Sequence, residues 1–197
     1  HPLTVESVER LTEDAVAITF AVPDHLRDDY AYDAGQHLTV RTEIGGVEVR
    51  RNYSICALAT TRRLRVAVKR LDGGAFSGLA TGALAPGDVI DVMTPTGRFV
   101  PRLDPDQAKH YCAVAAGSGI TPVLSIVATV LDVEPQSSVT LVYGNRTTRS
   151  VMFLDELADL KDRYPTRFRL INVLSDDLQD VELFNGRIDA AKLTQLF

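Results

Sequence analysis

The chain changes its pattern near residue 103, and that change limits what it can fold into. Before it, short apolar runs alternate with glycine turns. "AVAITFAV" (15–22) reads as a strand. "QHLTVRTEI" (36–44), Gly45-Gly46 and "VEVRRNYSI" (47–55) read as a hairpin across a two-glycine turn. "LRVAVKRL" (64–71) alternates apolar and basic residues. "DVIDVMTPTGRF" (88–99) follows Pro86-Gly87, and a short helix fits "AFSGLATGAL" (75–84). Short strands at this spacing predict a small antiparallel barrel or sandwich.

After "RFVPRLDPDQ" strands and helices alternate. "HYCAVAAG" (110–117) is a buried strand running into glycine. "TPVLSIVATVLDV" (121–133) is a helix, with Thr121 as N-cap and Pro122 at its first position. "SVTLVYGN" (138–145) and "RFRLINVLS" (167–175) are strands. "SVMFLDELADLKDRY" (150–164) is an amphipathic helix, and "DAAKLTQLF" (189–197) begins another. Such alternation predicts a parallel sheet with crossover helices. Two domains are expected, residues 1–103 and 107–197.

Charge and cysteines exclude several classes. The net charge is −5; residues 1–102 carry 12 Lys/Arg and 13 Asp/Glu, residues 103–197 carry 9 and 13, so neither half suits nucleic acid. Cys56 and Cys112 lack disulfide or metal spacing and are expected to be buried thiols. His25 and His37 have no partner at metal spacing. No apolar run reaches transmembrane length and no signal peptide is visible, so no membrane partner and a cytoplasmic protein are expected. The chain begins with His, not Met, as a fragment or trimmed chain would. Arg62, Arg63 and Arg65 read as a solvated face or a dock for an acidic protein. No Ser-His-Asp or Cys-His arrangement supports hydrolysis.

Three motifs carry chemistry. In "RRNYSI", Arg51, Tyr53 and Ser54 form R-x-Y-S on a strand. An arginine fork matches a diphosphate, a tyrosine ring lies against a flat heterocycle, and a serine hydroxyl meets a ring nitrogen that changes protonation. An exposed arginine and a core-edge tyrosine would look the same. In "VAVKRLDGGAFSGL" a strand passes Gly73-Gly74 into a helix start near Ser77, suited to an anion. In "AAGSGITP" a strand passes Gly117-Ser118-Gly119 into a helix whose free N–H groups suit a phosphate. A plain hairpin or βα turn would want these glycines too.

The order of these motifs resembles the ferredoxin–NADP reductase superfamily. "VAVKRLDGGAFSGLA", "DVMTPTGRF", "AAGSGITPVLSI", "YGNRTTRSVMFLDEL" and "FNGRID" are similar to its branch of reductase components of phenylacetyl-CoA oxygenase and related multicomponent oxygenases. The likeness covers residues 35–190. It implies an antiparallel six-stranded FAD-binding β-barrel, then a parallel-sheet NAD(P)-binding domain incomplete at its C-terminus. In that frame Arg51 binds the FAD diphosphate, Tyr53 packs on the isoalloxazine, and Ser54 sits near flavin N5; Ser54 and Tyr53 lie nearest the chemistry. Val68 and Lys69 meet the pyrimidine edge through their backbone, and Gly74, Ala75, Phe76 and Ser77 close over the diphosphate. Gly117, Ser118, Thr121 and Pro122 line the nicotinamide and its diphosphate, with Arg146 and Ser175 near the adenosine ribose and any 2′-phosphate.

The resemblance further implies hydride transfer from NAD(P)H to FAD, then single electrons to an iron–sulfur centre feeding an oxygenase. NADPH is the expected donor by family habit; Asp176 and Asp177, where relatives often place a basic residue, suit NADH instead. The family continues with a Cys-Gly-Pro segment, and its nearest branch adds a plant-type 2Fe–2S domain with four cysteines. Neither is in these residues, so the whole protein is expected to be longer. A stand-alone flavin reductase, a flavohaemoglobin-like reductase module, and a non-catalytic flavin-binding regulator remain open.

Overall fold

The computed structural model describes residues His1–Phe197. Six antiparallel strands make the first half: β1 (Pro2–Thr12), β2 (Ala15–Ala21), β3 (His37–Ile44), β4 (Val47–Ser54), β5 (Leu64–Lys69) and β6 (Val89–Val92). Their order is β4-β3-β6-β1-β2-β5. The two end strands then meet. Ile55 bridges Val66, and the Cys56 N–H donates to the Arg65 carbonyl at 2.9 Å. The sheet therefore curls into a barrel, which removes the free edges that invite aggregation. Inward residues such as Leu3, Ile18, Leu38, Val66 and Val92 fill it, and α1 (Ala75–Gly82) adds Phe76 and Ala80 to that core.

β1 is absent from the strands that periodicity alone identifies. Its apolar residues Leu3, Val5, Val8 and Leu11 do not keep a period of two. Register shifts fall between Val5 and Ser7 and between Arg10 and Thr12, and each inserted residue reverses the alternation. The run 88–99 is shorter than expected, with a strand only over Val89–Val92. Pro95 has no N–H for a ladder, and a single bridge between His37 and Thr96 is all the pairing that follows.

The second half is a parallel sheet in the order β7-β8-β9, built from β7 (His110–Ala116), β8 (Ser138–Asn145) and β9 (Phe168–Leu174). Helices α2 (Ile120–Val133) and α3 (Leu154–Arg163) cover one face, with Ile120, Leu124, Val127, Leu141 and Leu157 fully or nearly buried between them. Helix α4 (Ala190–Leu196) covers the opposite face, where Leu196 packs with Val142, Ile171 and Val173. That second layer rests on β8 and β9 only. Cys112 on β7 is consequently exposed, against the expectation of a buried thiol, and Val114 beside it is 46% exposed. Cys56 is buried, and burial pushes its thiol up to about 12. No helix is long and apolar enough to cross a membrane.

Two helix starts differ from the pattern. A 3₁₀ turn over Gly117–Gly119 precedes α2, whose N-cap is Gly119. Thr121 is not the cap; its hydroxyl donates to the Ser118 carbonyl at 3.1 Å. Pro122 is the third helical residue, still within the first turn, where its missing N–H has no helical partner to lose. Helix α3 begins at Leu154 rather than 150, because Phe153 adopts a left-handed conformation (φ 60) that breaks the approach.

β5 shows how one strand serves both halves. Alternate side chains point to opposite faces. Leu64, Val66 and Val68 enter the barrel core, whereas Ala67 joins the core of the second half together with Ala15 and Cys56. These small side chains let the barrel wall approach α2 and α3 closely. The loop after Cys56 adds polar ties: the Ser125 hydroxyl donates to the Ala57 carbonyl at 2.7 Å, and the Ala59 N–H donates to Thr129 Oγ1 at 3.2 Å. Arg65, expected on a solvated face, is 6% exposed and paired with carboxylates from both halves. Side chains from both halves thus share one core.

Candidate functional site

The R-x-Y-S run occupies the end of β4, where Arg51, Tyr53 and Ser54 pair with Val40, Leu38 and His37 of β3. Arg51 is exposed. Its one hydrogen bond runs from Nη1 to the Arg50 carbonyl at 2.7 Å, and it makes no salt bridge, so most of its fork is free. Tyr53 is half-buried, with its ring 5.4 Å from that of Phe76 at an interplanar angle of 36°. Burial pushes the Tyr53 phenol above its ordinary value, while the charge of Arg51 pulls it back. Ser54 is half-buried at the strand end.

Phe76 links this run to the glycine turn before α1. The helix begins at Ala75, with Gly74 as N-cap and no capping side chain. Ser77 lies inside the first turn, facing back: its hydroxyl accepts from the Leu71 N–H at 3.1 Å and donates to the Gly74 carbonyl at 3.2 Å. The first amides of α1 therefore lack a side-chain partner and carry positive potential. A largely free guanidinium and an uncapped helix start are donors that suit a diphosphate, and the half-buried Tyr53 ring is a surface of the kind a flat heterocycle packs on. Val68 is buried as a whole residue, with its side chain in the barrel core.

A second site lies at the C-terminal ends of the parallel strands, where open α/β sheets bind ligands. A cleft of about 390 Å³ is lined by Lys69 from the barrel and by Gly117, Asn145, Arg146, Ser150, Ser175, Arg187 and Ile188 among others. Three cations line it and no carboxylate does. Lys69 is half-buried, with Nζ 3.4 Å from Asp14. Gly117 takes a left-handed conformation (φ 49), and its carbonyl accepts the Tyr143 hydroxyl at 3.0 Å. The Tyr143 phenol is pushed up to about 12 by burial. Asp177 accepts the Thr148 N–H at 2.7 Å, and Asp176 accepts the Ser175 hydroxyl at 2.7 Å.

Of the residues expected here, the cleft brings together Gly117, Arg146 and Ser175; Lys69, expected at the flavin edge through its backbone, lines it as well. Ser118 is exposed beside it, whereas Thr121 is buried and Pro122 half-buried in the first turn of α2. Asn145, Ser150 and Arg187 were missed. Asn145 ends β8, so taking the last residue of each parallel strand would have found it. Arg187 follows Gly186, whose N–H donates to the Leu174 carbonyl at 2.8 Å; this folds the segment against the end of β9, a contact no local pattern announces.

Known proteins match each half of the chain. Residues 2–100 match the oxidoreductase FAD-binding domain and residues 113–197 the oxidoreductase NAD-binding domain. The chain belongs to the ferredoxin reductase family. Over 196 residues, 100% of the chain, it is 48% identical to a 1,2-phenylacetyl-CoA epoxidase subunit from Escherichia coli (strain K12), covering 55% of that protein. It is 41% identical over 175 residues to the ferredoxin reductase component of the 3-ketosteroid-9-alpha-monooxygenase of Rhodococcus rhodochrous, covering 87% of this chain and 48% of that one. It superposes on phthalate dioxygenase reductase, described as a modular structure for electron transfer from pyridine nucleotides to a 2Fe–2S centre, with a TM-score of 0.68 and 29% identity over 86% of this chain and 50% of that one. The chain thus spans about half the length of these relatives.

Proposed function

We propose that this chain is the flavin- and nicotinamide-binding part of an NAD(P)H-dependent reductase that supplies a multicomponent oxygenase. The observation that carries the reading is the pairing of two unlike sites on one shared core: an uncapped helix start joined through the Phe76–Tyr53 ring contact to the strand that carries a largely free arginine, and a cationic cleft at the strand ends to which the barrel contributes Lys69. FAD, when bound, supplies the two-electron to one-electron conversion. The residues of this chain bind and align. Arg51 and the first amides of α1, from Ala75 to Ser77, hold the diphosphate. Tyr53, propped by Phe76, presents its ring to the isoalloxazine, and Ser54 offers its hydroxyl near N5. Val68 and Lys69 meet the flavin edge through their backbone. Gly117, Ser118, Thr121 and Pro122 form the wall against which the nicotinamide end lies, with Arg146 and Ser175 at the adenosine end.

NADPH is the preferred donor in this reading, since three cations and no carboxylate line the cleft; Asp176, bonded to Ser175, leaves NADH usable. The electron acceptor is an iron–sulfur centre or ferredoxin, as in the relatives whose names specify one, in the cytoplasm where reduced nucleotide is supplied. The test is the visible spectrum of the whole protein. It should be yellow and bleach on adding reduced nucleotide, faster with NADPH than with NADH. A colourless preparation that takes up no added FAD sinks the reading. Arg51→Ala should lose FAD on gel filtration, and Ser54→Ala should keep FAD but bleach more slowly.

A further inference from the structure

One guanidinium joins the two halves. Arg65 leaves β5 on its outward face. Its Nη2 donates to Glu9 Oε2 and its Nη1 to Glu156 Oε1, each at 2.9 Å. Glu9 belongs to β1 of the barrel, and Glu156 to the first turn of α3. The same guanidinium sits 5.4 Å from the ring centroid of Phe153, the buried, left-handed residue that immediately precedes α3. Arg65 Nε has no partner.

Burying a charge for stability alone is a poor device, since well-packed apolar side chains often do as well. A planar fork that holds one carboxylate on each arm does something else: it fixes geometry, which the point charge of a lysine does not do. The polar ties at Ala57 and Ala59 both run to α2. Neither reaches α3, to which Arg65 makes a polar tie through Glu156. Lys69, four residues along the same outward face of β5, lines the nucleotide cleft. At about 3.3 Å per residue the two are roughly 13 Å apart, so a small tilt at the first displaces the cleft wall at the second.

We propose that Arg65 is a positioning residue: its bridges to Glu9 and Glu156 set how the nucleotide-binding half sits on the barrel, and through that the approach of nicotinamide to flavin. This rests on the function proposed above. It concerns the joint between the sites, since Arg65 lies outside both.

The test compares Arg65→Met, Arg65→Lys and Glu156→Gln in the whole protein. The Glu9 and Glu156 side chains are 54% and 35% exposed, so water covers them once the arginine is gone; should Arg65→Met still fail to fold, Glu156→Gln carries the test. FAD content per chain should match the wild type. The limiting rate of flavin bleaching at saturating reduced nucleotide should fall on the order of ten- to a hundredfold in Arg65→Met, with half-saturation moving less than about threefold. Arg65→Lys should recover only part of the rate. Trypsin should cut the connecting segment, after Arg102 and Lys109, several times faster in Arg65→Met and Glu156→Gln. Bleaching rates within twofold of wild type in both variants overturn the proposal, as does a rate loss matched by an equal loss of FAD. If the wild type neither holds FAD nor bleaches, the functional reading fails. The trypsin comparison then judges the joint alone, and unchanged cutting overturns it.

Discussion

Each half of the molecule carries a glycine turn that runs into a helix, and the two turns hold their glycines for different reasons. Before α1, a Cβ on Gly74 would lie 2.3 Å from Ser77 Oγ and 3.1 Å from the Leu71 carbonyl. Ser77 is itself buried and bonded to both sides of the turn. Glycine is needed there by the protein's own packing. Before α2, Gly119 has an ordinary helical φ of −64, and a Cβ on it would meet nothing within 4 Å. No internal contact requires glycine at that position, so the bare backbone faces outward. The first turn is locked at the helix start. The second is open there, and its helix is anchored at the far end, where Glu134 is fully buried.

The anchor is the strongest place to test this contrast. Glu134 accepts from the Asp104 N–H at 3.0 Å, the Tyr111 hydroxyl at 3.1 Å and the Ser137 hydroxyl at 2.7 Å. Glu134→Ala should cost about 3 kcal/mol, because three donors lose their acceptor. It should leave FAD retention by the barrel unchanged. The pH dependence has a definite sign. Burial alone would raise this carboxyl, but the bonds from Ser137, Asp104 and Tyr111 and the charge of Lys109 outweigh it and hold the value low. A depressed value means the stabilisation is complete above the ordinary 4.5 and is lost as pH falls through the folded-state value. Urea midpoints of wild type and variant should converge on acidification. A gap that stays constant down to pH about 3 would contradict the assignment.

The locked turn comes next in size. Gly74→Ala forces a shift against a bonded, buried serine and should cost about 2 kcal/mol, or roughly 4–8 °C in melting temperature for a chain of this length. Flavin should be lost with it. Ser77→Ala leaves the Leu71 N–H without its acceptor and should cost about 1 kcal/mol. Equal melting curves for wild type and both variants would erase the difference between the turns.

What the sequence conveyed follows the same division between local and long-range causes. The hairpin at Gly45-Gly46, the alternation in β5 and the strand–turn–helix units are local patterns, and the structure contains them. The bulged β1 was hidden because two inserted residues break its period. Arg65 was misread because a basic residue at an outward strand position looks the same whether it meets water or a second domain; only the packing of α3 decides. Cys112 was misplaced for the converse reason, since an apolar strand looks buried until the helix layers show which strands they cover. Arg187 entered the cleft through a contact between distant segments. The R-x-Y-S run was visible in full, although its pairing with Phe76 was not.

The smallest effect on stability is the most informative about the open turn. At Gly119 the helical φ suits any residue, so Gly119→Ala removes unfolded-chain freedom without adding strain. It also exchanges a favourable N-cap glycine for a less favourable alanine. These two effects oppose each other, and the melting temperature should move by no more than about 2 °C, equivalent to less than roughly 0.5 kcal/mol. The methyl would nevertheless project into the space where a nucleotide diphosphate would approach the first amides of α2. Binding of NADP⁺, measured by calorimetry, should weaken at least about tenfold, or some 1.4 kcal/mol, while FAD content is unchanged. Gly74→Ala should show the reverse order, a large loss of stability first and any loss of nucleotide affinity only as its consequence. A Gly119→Ala protein that binds NADP⁺ as tightly as the wild type would mean that the nucleotide does not lie on this turn, and the cationic cleft would then have to hold it by Arg146, Arg187 and Lys69 alone.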